Sequence, residues 1–161
     1  MNQGGTTFLN VPCAAFCGVR DFFMIGADKM NGIKYNEKHE AYEITFDVWG
    51  KPTLVLFFTE EQQTIIDNLS AIAAKLDKIN SKKRKFVQMM YDGGWFNHRK
   101  YPFIEVSELD EAVFAAYLSV DFDDDEIFIS IIAAGQDDYL GGKLAVEVGS
   151  DNGIEVLGWS E

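Results

Sequence analysis

Tyr42-Glu43-Ile44-Thr45-Phe46-Asp47-Val48, then Gly50-Lys51-Pro52, then Leu54-Val55-Leu56-Phe57-Phe58 is the stretch that decides the fold. In its first run the apolar residues Tyr42, Ile44, Phe46 and Val48 alternate with Glu43, Thr45 and Asp47, the period of a half-buried strand. The second run is apolar without alternation, as expected of a strand buried on both faces. Gly50-Lys51-Pro52 supplies the turn between them. The pair predicts a hairpin, with Ile33 to Tyr35 as a third, outer strand.

Downstream the period changes. Thr59 opens a helix, Gln62 completes a capping box, and Glu60 and Glu61 complement the helix dipole. Ile65, Ile66, Leu69, Ile72, Ala73, Leu76 and Ile79 follow at helical spacing and turn one stripe toward the sheet. Asn80-Ser81 either caps a second helix or bends the first. Phe86, Val87, Met89 and Met90 then run to a stop at Gly93-Gly94. Ser107 caps a short helix from Glu108 to about Tyr117, with Asp110 and Glu111 in its first turns. Strands are expected at Leu118 to Phe122, Ile127 to Ala133, Lys143 to Val148 and Ile154 to Trp159. Asn152-Gly153 supplies the positive φ values of a type I′ turn between the last two.

Strands, then helices, then strands imply an α+β fold. Its sheet is largely antiparallel, of about five to seven strands, with two to three helices packed on one face. The chain has 161 residues, enough for one domain with its own core, and it shows no repeat or linker. Upstream, Phe8, Leu9 and Val11 could start a strand before Pro12, and Phe22 to Ile25 fits strand or helix equally. Met1 to Thr7 has no cationic start leading into an apolar run, and no stretch approaches a membrane span. A cytoplasmic protein is expected.

Charge is distributed unevenly. Glu105 to Glu161 carries fifteen acidic side chains and one basic one, Lys143, whereas residues 1–104 hold eleven acids and thirteen bases. A field of net −12 concentrated there repels nucleic acid and anionic membrane and attracts basic partners.

No catalytic or cofactor motif emerges. Asp121, Asp123 and Asp125 imitate positions one, three and five of a calcium loop, but Glu126 stands where Gly is needed and Ile132 where the bidentate Glu belongs. The run Asp121 to Glu126 is read as a solvated hairpin turn. Cys13, Cys17, His39 and His98 lack the paired spacing of a zinc module, and buried cysteines with surface histidines are the expectation. No base is placed beside an activated thiolate, and no Ser-His-Asp set can be built. Gly93-Gly94 and Gly141-Gly142 are helix-stop and bend signals, not phosphate loops. Lys75, Lys78, Lys82, Lys83, Arg84 and Lys85 read as a solvated helix end, or as a surface that pairs with the acidic lobe of a second copy.

The segments Ser119-Val120-Asp121, Ile127-Phe128-Ile129, Gln136-Asp137-Asp138-Tyr139-Leu140-Gly141-Gly142 with Lys143 to Val148, Asn152-Gly153 and Leu157-Gly158 together look like a small group of bacterial domains. A strand leads into an acidic-aromatic-Gly-Gly turn, then an alternating strand, a turn with Gly, and a terminal Gly. Such domains resemble the immunity proteins of polymorphic-toxin and contact-dependent growth inhibition systems. The resemblance covers about 40 residues, from Ser119 to Gly158. It implies a protein without catalytic residues that captures a basic toxin, for instance a nuclease.

Charge and resemblance together nominate Asp123, Asp124, Asp125 and Glu126 in a first loop and Asp137, Asp138 and Tyr139 in a second as partner-binding residues. Asp151, Glu155 and Trp159 on the last hairpin extend the patch. No catalytic residue, metal or cofactor is expected. The expected function is an acidic inhibitor of a basic toxin. The alternative is a non-enzymatic accessory or scaffold domain, homodimeric through its basic helix end and acidic lobe. An enzyme would need a bound metal or a strongly perturbed carboxylate in a cleft.

Overall fold

The computed structural model describes residues 32–124, 126–149 and 153–160. The readings for Phe8 to Ile25, including Cys13 and Cys17, lie outside them, as do Asp125 and Asp151.

The strands are β1 (Lys34–Asn36), β2 (Ala41–Val48), β3 (Lys51–Phe58), β4 (Val113–Asp123), β5 (Glu126–Gly135), β6 (Lys143–Val148) and β7 (Ile154–Ser160). They form one seven-stranded sheet whose order follows the chain. Every pairing is antiparallel except β3 with β4. A parallel neighbour cannot be reached by a tight turn, so the chain must cross over, and it does so through all four described helices. These are α1 (Gln62–Asp67), α2 (Leu69–Ser81), α3 (Lys83–Asp92) and α4 (Val106–Ala112). The α+β class holds, with one helix more than the expected two to three.

Register builds the core in rows. Tyr42, Phe57, Val120, Ile129, Val148 and Ile154 lie side by side across the sheet, and Ile44, Val55, Leu118, Ile131, Val146 and Val156 form the next row. Both rows pack against Ile65, Ile72, Leu76 and Ile79 of α1 and α2 and Phe86, Val87 and Met90 of α3. Each fully buried side chain of this kind contributes about 1.5–3 kcal/mol of transfer free energy. The opposite face runs Glu43, Leu56, Ser119, Ser130, Glu147 and Glu155, with Phe58, Asp121 and Phe128 beyond it.

The helices depart from the expected boundaries. α1 begins at Gln62 behind Glu61, with no side-chain cap, so the capping box of Thr59 and Gln62 is absent. The Thr59 hydroxyl instead accepts the Glu61 N–H at 3.4 Å, because Thr59 is still turning the chain off the end of β3. The single long helix breaks at Asn68, whose amide donates to the Thr64 carbonyl at 2.9 Å. Asn80 neither caps nor bends a helix with its side chain. It accepts the Trp49 N–H and donates to the Asp47 carbonyl, both at 2.9 Å, and so fastens α2 to the β2–β3 turn. Glu105, not Ser107, caps α4, and the Glu108 carboxylate reaches back to the Glu105 N–H at 2.9 Å. α4 ends at Ala112 and β4 starts at Val113, five residues before the expected strand. Val113 and Ala115 are buried in the core, so tertiary packing overrides the helical preference of the alanines there.

The basic helix cluster is partly spent inside the molecule. Lys75, only 9% exposed, donates from Nζ to the Gly149 carbonyl at 2.7 Å, tying α2 to the turn between β6 and β7. Lys83 Nζ donates to the Asp110 carbonyl and lies 3.9 Å from its carboxylate. Burial pushes the Lys83 ammonium pKa down, opposed by Asp110 and reinforced by Lys51. Lys75→Met keeps the apolar stem but leaves the Gly149 carbonyl without its cation. We expect a loss of about 1.5–3 kcal/mol in urea unfolding, the usual value of a hydrogen bond to a charged group.

Candidate functional site

Strand register divides the sequence-nominated residues between the two ends of the sheet. β5 alone has ten residues, which separates its flanking loops by roughly 30 Å. Asp123, Asp124, Glu126 and Glu155 stand at or near the end where β3 and β4 finish. Asp137, Asp138, Tyr139 and Trp159 stand at the other end, where β6 starts and β7 finishes. The two loops do not form one surface.

At the first end three separated chain segments converge. Asp123 pairs with Glu126, so the β4–β5 hairpin turns tightly there, with Asp124 at φ 50°. The β1–β2 turn brings Glu37 and Glu40, because Asn36 pairs with Ala41 beside the end of β3. The exit from β3 brings Glu60 and Glu61, and β4 brings Asp121 alongside Phe58. Glu37, Glu40, Glu60, Glu61, Asp121, Asp123, Asp124 and Glu126 are all exposed, and Lys38 is the cation among them. None of the eight makes an ion pair among the described residues. Just inside the last hairpin Glu147 and Glu155 face each other across β6 and β7, a like-charge pair that sheets ordinarily avoid.

Asp121 differs from its neighbours in the rim. It lies on a central strand, on the face turned away from the helices, directly between Phe58 of β3 and Phe128 of β5. Phe58 is 42% exposed, one of the few large apolar side chains that protrude. Partial burial raises the Asp121 carboxyl pKa, and a hydrogen bond from the Ser119 side chain works against the rise. A carboxyl whose folded pKa exceeds its unfolded one weakens the fold as pH climbs from about 3.8 through the raised value, and the cost persists above it. Asp121→Asn removes that cost. Its melting temperature at pH 7 is expected to lie slightly above the wild type's, with the gap closing below pH 3.8, as differential scanning calorimetry would show. The effect is small because the carboxylate is largely exposed.

At the other end the acidic loop is held by backbone carbonyls and by the Asp138 carboxylate. Asp137 and Asp138 take positive φ values of 48° and 66°, and the loop from Trp95 to Tyr101 holds them there. The Asp137 carbonyl accepts Lys100 Nζ and the Tyr101 hydroxyl, each at 2.7 Å. Asn97 donates to the Asp138 carboxylate at 2.9 Å, and its N–H donates to the Tyr139 carbonyl at 2.8 Å. Tyr139 stacks on Tyr101 with ring centres 4.0 Å apart, and Trp159 meets Trp95 edge-on at 5.7 Å. Packing raises the Tyr139 phenol pKa, with Tyr101 adding to the rise. This arrangement is a clasp between two loops of the same chain.

The two histidines stand in separate settings. His39 is half-buried 3.4 Å from the Glu43 carboxylate, while exposed His98 sits against the Phe96 ring. No group of three metal-ligating side chains occurs among the described residues. No described helix is long and apolar enough to cross a membrane.

Four acids of the rim, Glu37, Glu40, Glu60 and Glu61, come from the half of the chain whose charge is balanced, so counting charge along the sequence passes over them. Their one signal is position, immediately after a predicted strand or between two. The Trp95 to Phe103 run, with Trp95, Phe96, Tyr101 and Phe103 around His98, Arg99 and Lys100, likewise matches no recognisable motif. Set against known proteins, the chain matches no family model, and no curated protein or solved structure is similar to it.

Proposed function

We propose that the chain is an acidic binding protein that neutralises a basic bacterial toxin by covering it directly. The observation that carries this reading is the rim of eight exposed carboxylates drawn from three chain segments, with Lys38 the one cation among them and none of the eight in an ion pair among the described residues. Keeping like charges together opposes folding, and a cationic partner relieves the repulsion as it binds. Dispersed rim charges steer encounter, while protruding aromatics such as Phe58 supply contact area that excludes water. The basic helix end offers less to a second copy than its sequence suggests, since Lys75 and Lys83 are held within the fold.

The test is a low-salt affinity column of the wild-type chain run beside one bearing Asp123→Ser, Asp124→Ser and Glu126→Ser. A basic protein retained by the wild type alone, toxic when expressed in bacteria and silenced by co-expressing the wild type, is the expected result. Identical proteins on both columns would refute the proposal.

A further inference from the structure

We propose that Phe58, Asp121 and Phe128 form a receptor for one arginine side chain of the partner, a specific anchor within the otherwise diffuse acidic rim. This inference rests on the acidic-binder reading above for its partner, but its chemistry stands on the sheet. Register places the three side chains in one row on one face, ring, carboxylate, ring, on adjacent strands of the sheet's centre. Directly opposed residues on adjacent strands have Cβ atoms about 4.5–5.5 Å apart, so a planar guanidinium above Asp121 would be flanked by both rings. Ser119 and Ser130 lie in the adjacent row, within reach of its remaining N–H donors.

Arginine fits this row better than lysine. Its fork donates two parallel hydrogen bonds to a carboxylate, its plane stacks on aromatic faces, and it sheds water more readily than an ammonium. Phe58 and Asp121 are both exposed, so the receptor opens outward. Surrounding it, Glu60, Glu61, Asp123, Asp124 and Glu126 supply the long-range field but no aromatic contact as direct as the two flanking rings. Partial burial between the rings raises the Asp121 carboxyl pKa, against the hydrogen bond from Ser119. A cation bound there would lower it.

The experiment is an NMR titration of the full-length 15N-labelled chain with the blocked peptides acetyl-Gly-Arg-Gly-amide and acetyl-Gly-Lys-Gly-amide, at one ionic strength. Saturable shifts centred on Phe58, Asp121 and Phe128 are expected, with the arginine peptide binding about tenfold more tightly. Asp121→Asn and, separately, Phe128→Leu should each weaken it about tenfold, whereas Asp124→Asn, which removes one charge of the surrounding rim, should weaken it only about twofold. Unchanged shifts far from the row certify that each variant is folded. Equal affinity for both peptides, or equal losses in Asp121→Asn and Asp124→Asn, overturns the receptor and leaves the diffuse acidic rim standing. Absence of shifts at the row overturns it as well. Failure of the affinity column with a positive titration would instead retain the arginine receptor and discard the toxin.

Discussion

Glu60→Gln, Glu61→Gln, Asp123→Asn and Asp124→Asn, made together, should slow association with a basic protein by ten- to a thousandfold at low salt. Asp137→Asn with Asp138→Asn should leave that rate nearly unchanged. Steering by a concentrated surface field accelerates encounter by these factors, and removing four of the eight rim charges removes much of the gradient that an approaching cation feels. The clasp acids are different because Lys100, donating to the Asp137 carbonyl, sets a cation beside them, so their field is partly offset locally. Stopped-flow association with a basic probe such as cytochrome c, between about 10 and 150 mM salt, is the measurement. Over that range the screening length contracts from about 30 to 8 Å, and the wild-type rate should fall steeply while the rim variant's falls much less. A loss in the clasp variant about half that in the rim variant, in proportion to the two and four charges removed, would mean that net charge alone matters, not its placement. The rim variant should fold at least as stably as the wild type, because it loses only repulsion.

Phe86→Ala should lower unfolding stability by about 3–5 kcal/mol, the range for an aromatic truncated in a close-packed core. Phe86 is 1% exposed, meets Trp49 at 5.6 Å between ring centres, and lines a small apolar cavity with Ile79, Val148 and Ile154. It therefore joins α3 both to the β2–β3 turn and to the last hairpin. Truncation would enlarge a cavity that already exists, and Trp49 is too firmly held to collapse into it. The indole N–H donates to the Ile79 carbonyl at 3.1 Å and the backbone N–H is held by Asn80. Urea denaturation gives the value directly. A loss under 1 kcal/mol would show that the helix layer repacks freely and that Phe86 is not a joint.

Local patterns were legible in the sequence wherever one short segment contained the whole signal. The alternation from Tyr42 to Val48 marks β2 almost to the residue, and Gly93-Gly94 does end α3, with Gly94 at φ 71°. The turn after Asp121 was legible for the same reason. Boundaries failed where packing outweighed propensity. Val113 to Tyr117 looked helical, yet the core takes Val113 and Ala115 as strand residues, with a bulge between Ala115 and Tyr117 that restores the inward alternation at Leu118. Asn68 and Asn80 resemble ordinary helix residues. The Asn80 clamp depends on Asp47 and Trp49, more than thirty residues away along the chain, whereas the Asn68 bond to Thr64 is local and carries no distinctive sequence pattern.

The sequence alone determined the α+β class, the strands of the two flanking meanders, the helical crossover and the acidic excess, because periodicity and charge are properties of neighbouring residues. Tertiary structure decided which charges act together. The parallel pairing of β3 and β4 sets Glu60 and Glu61 beside Asp121 and Asp123, across some sixty intervening residues, while the ten residues of β5 carry Asp137 and Asp138 to the far end. Charges interact through space over about 10 Å, whereas the sequence records only their order along the chain.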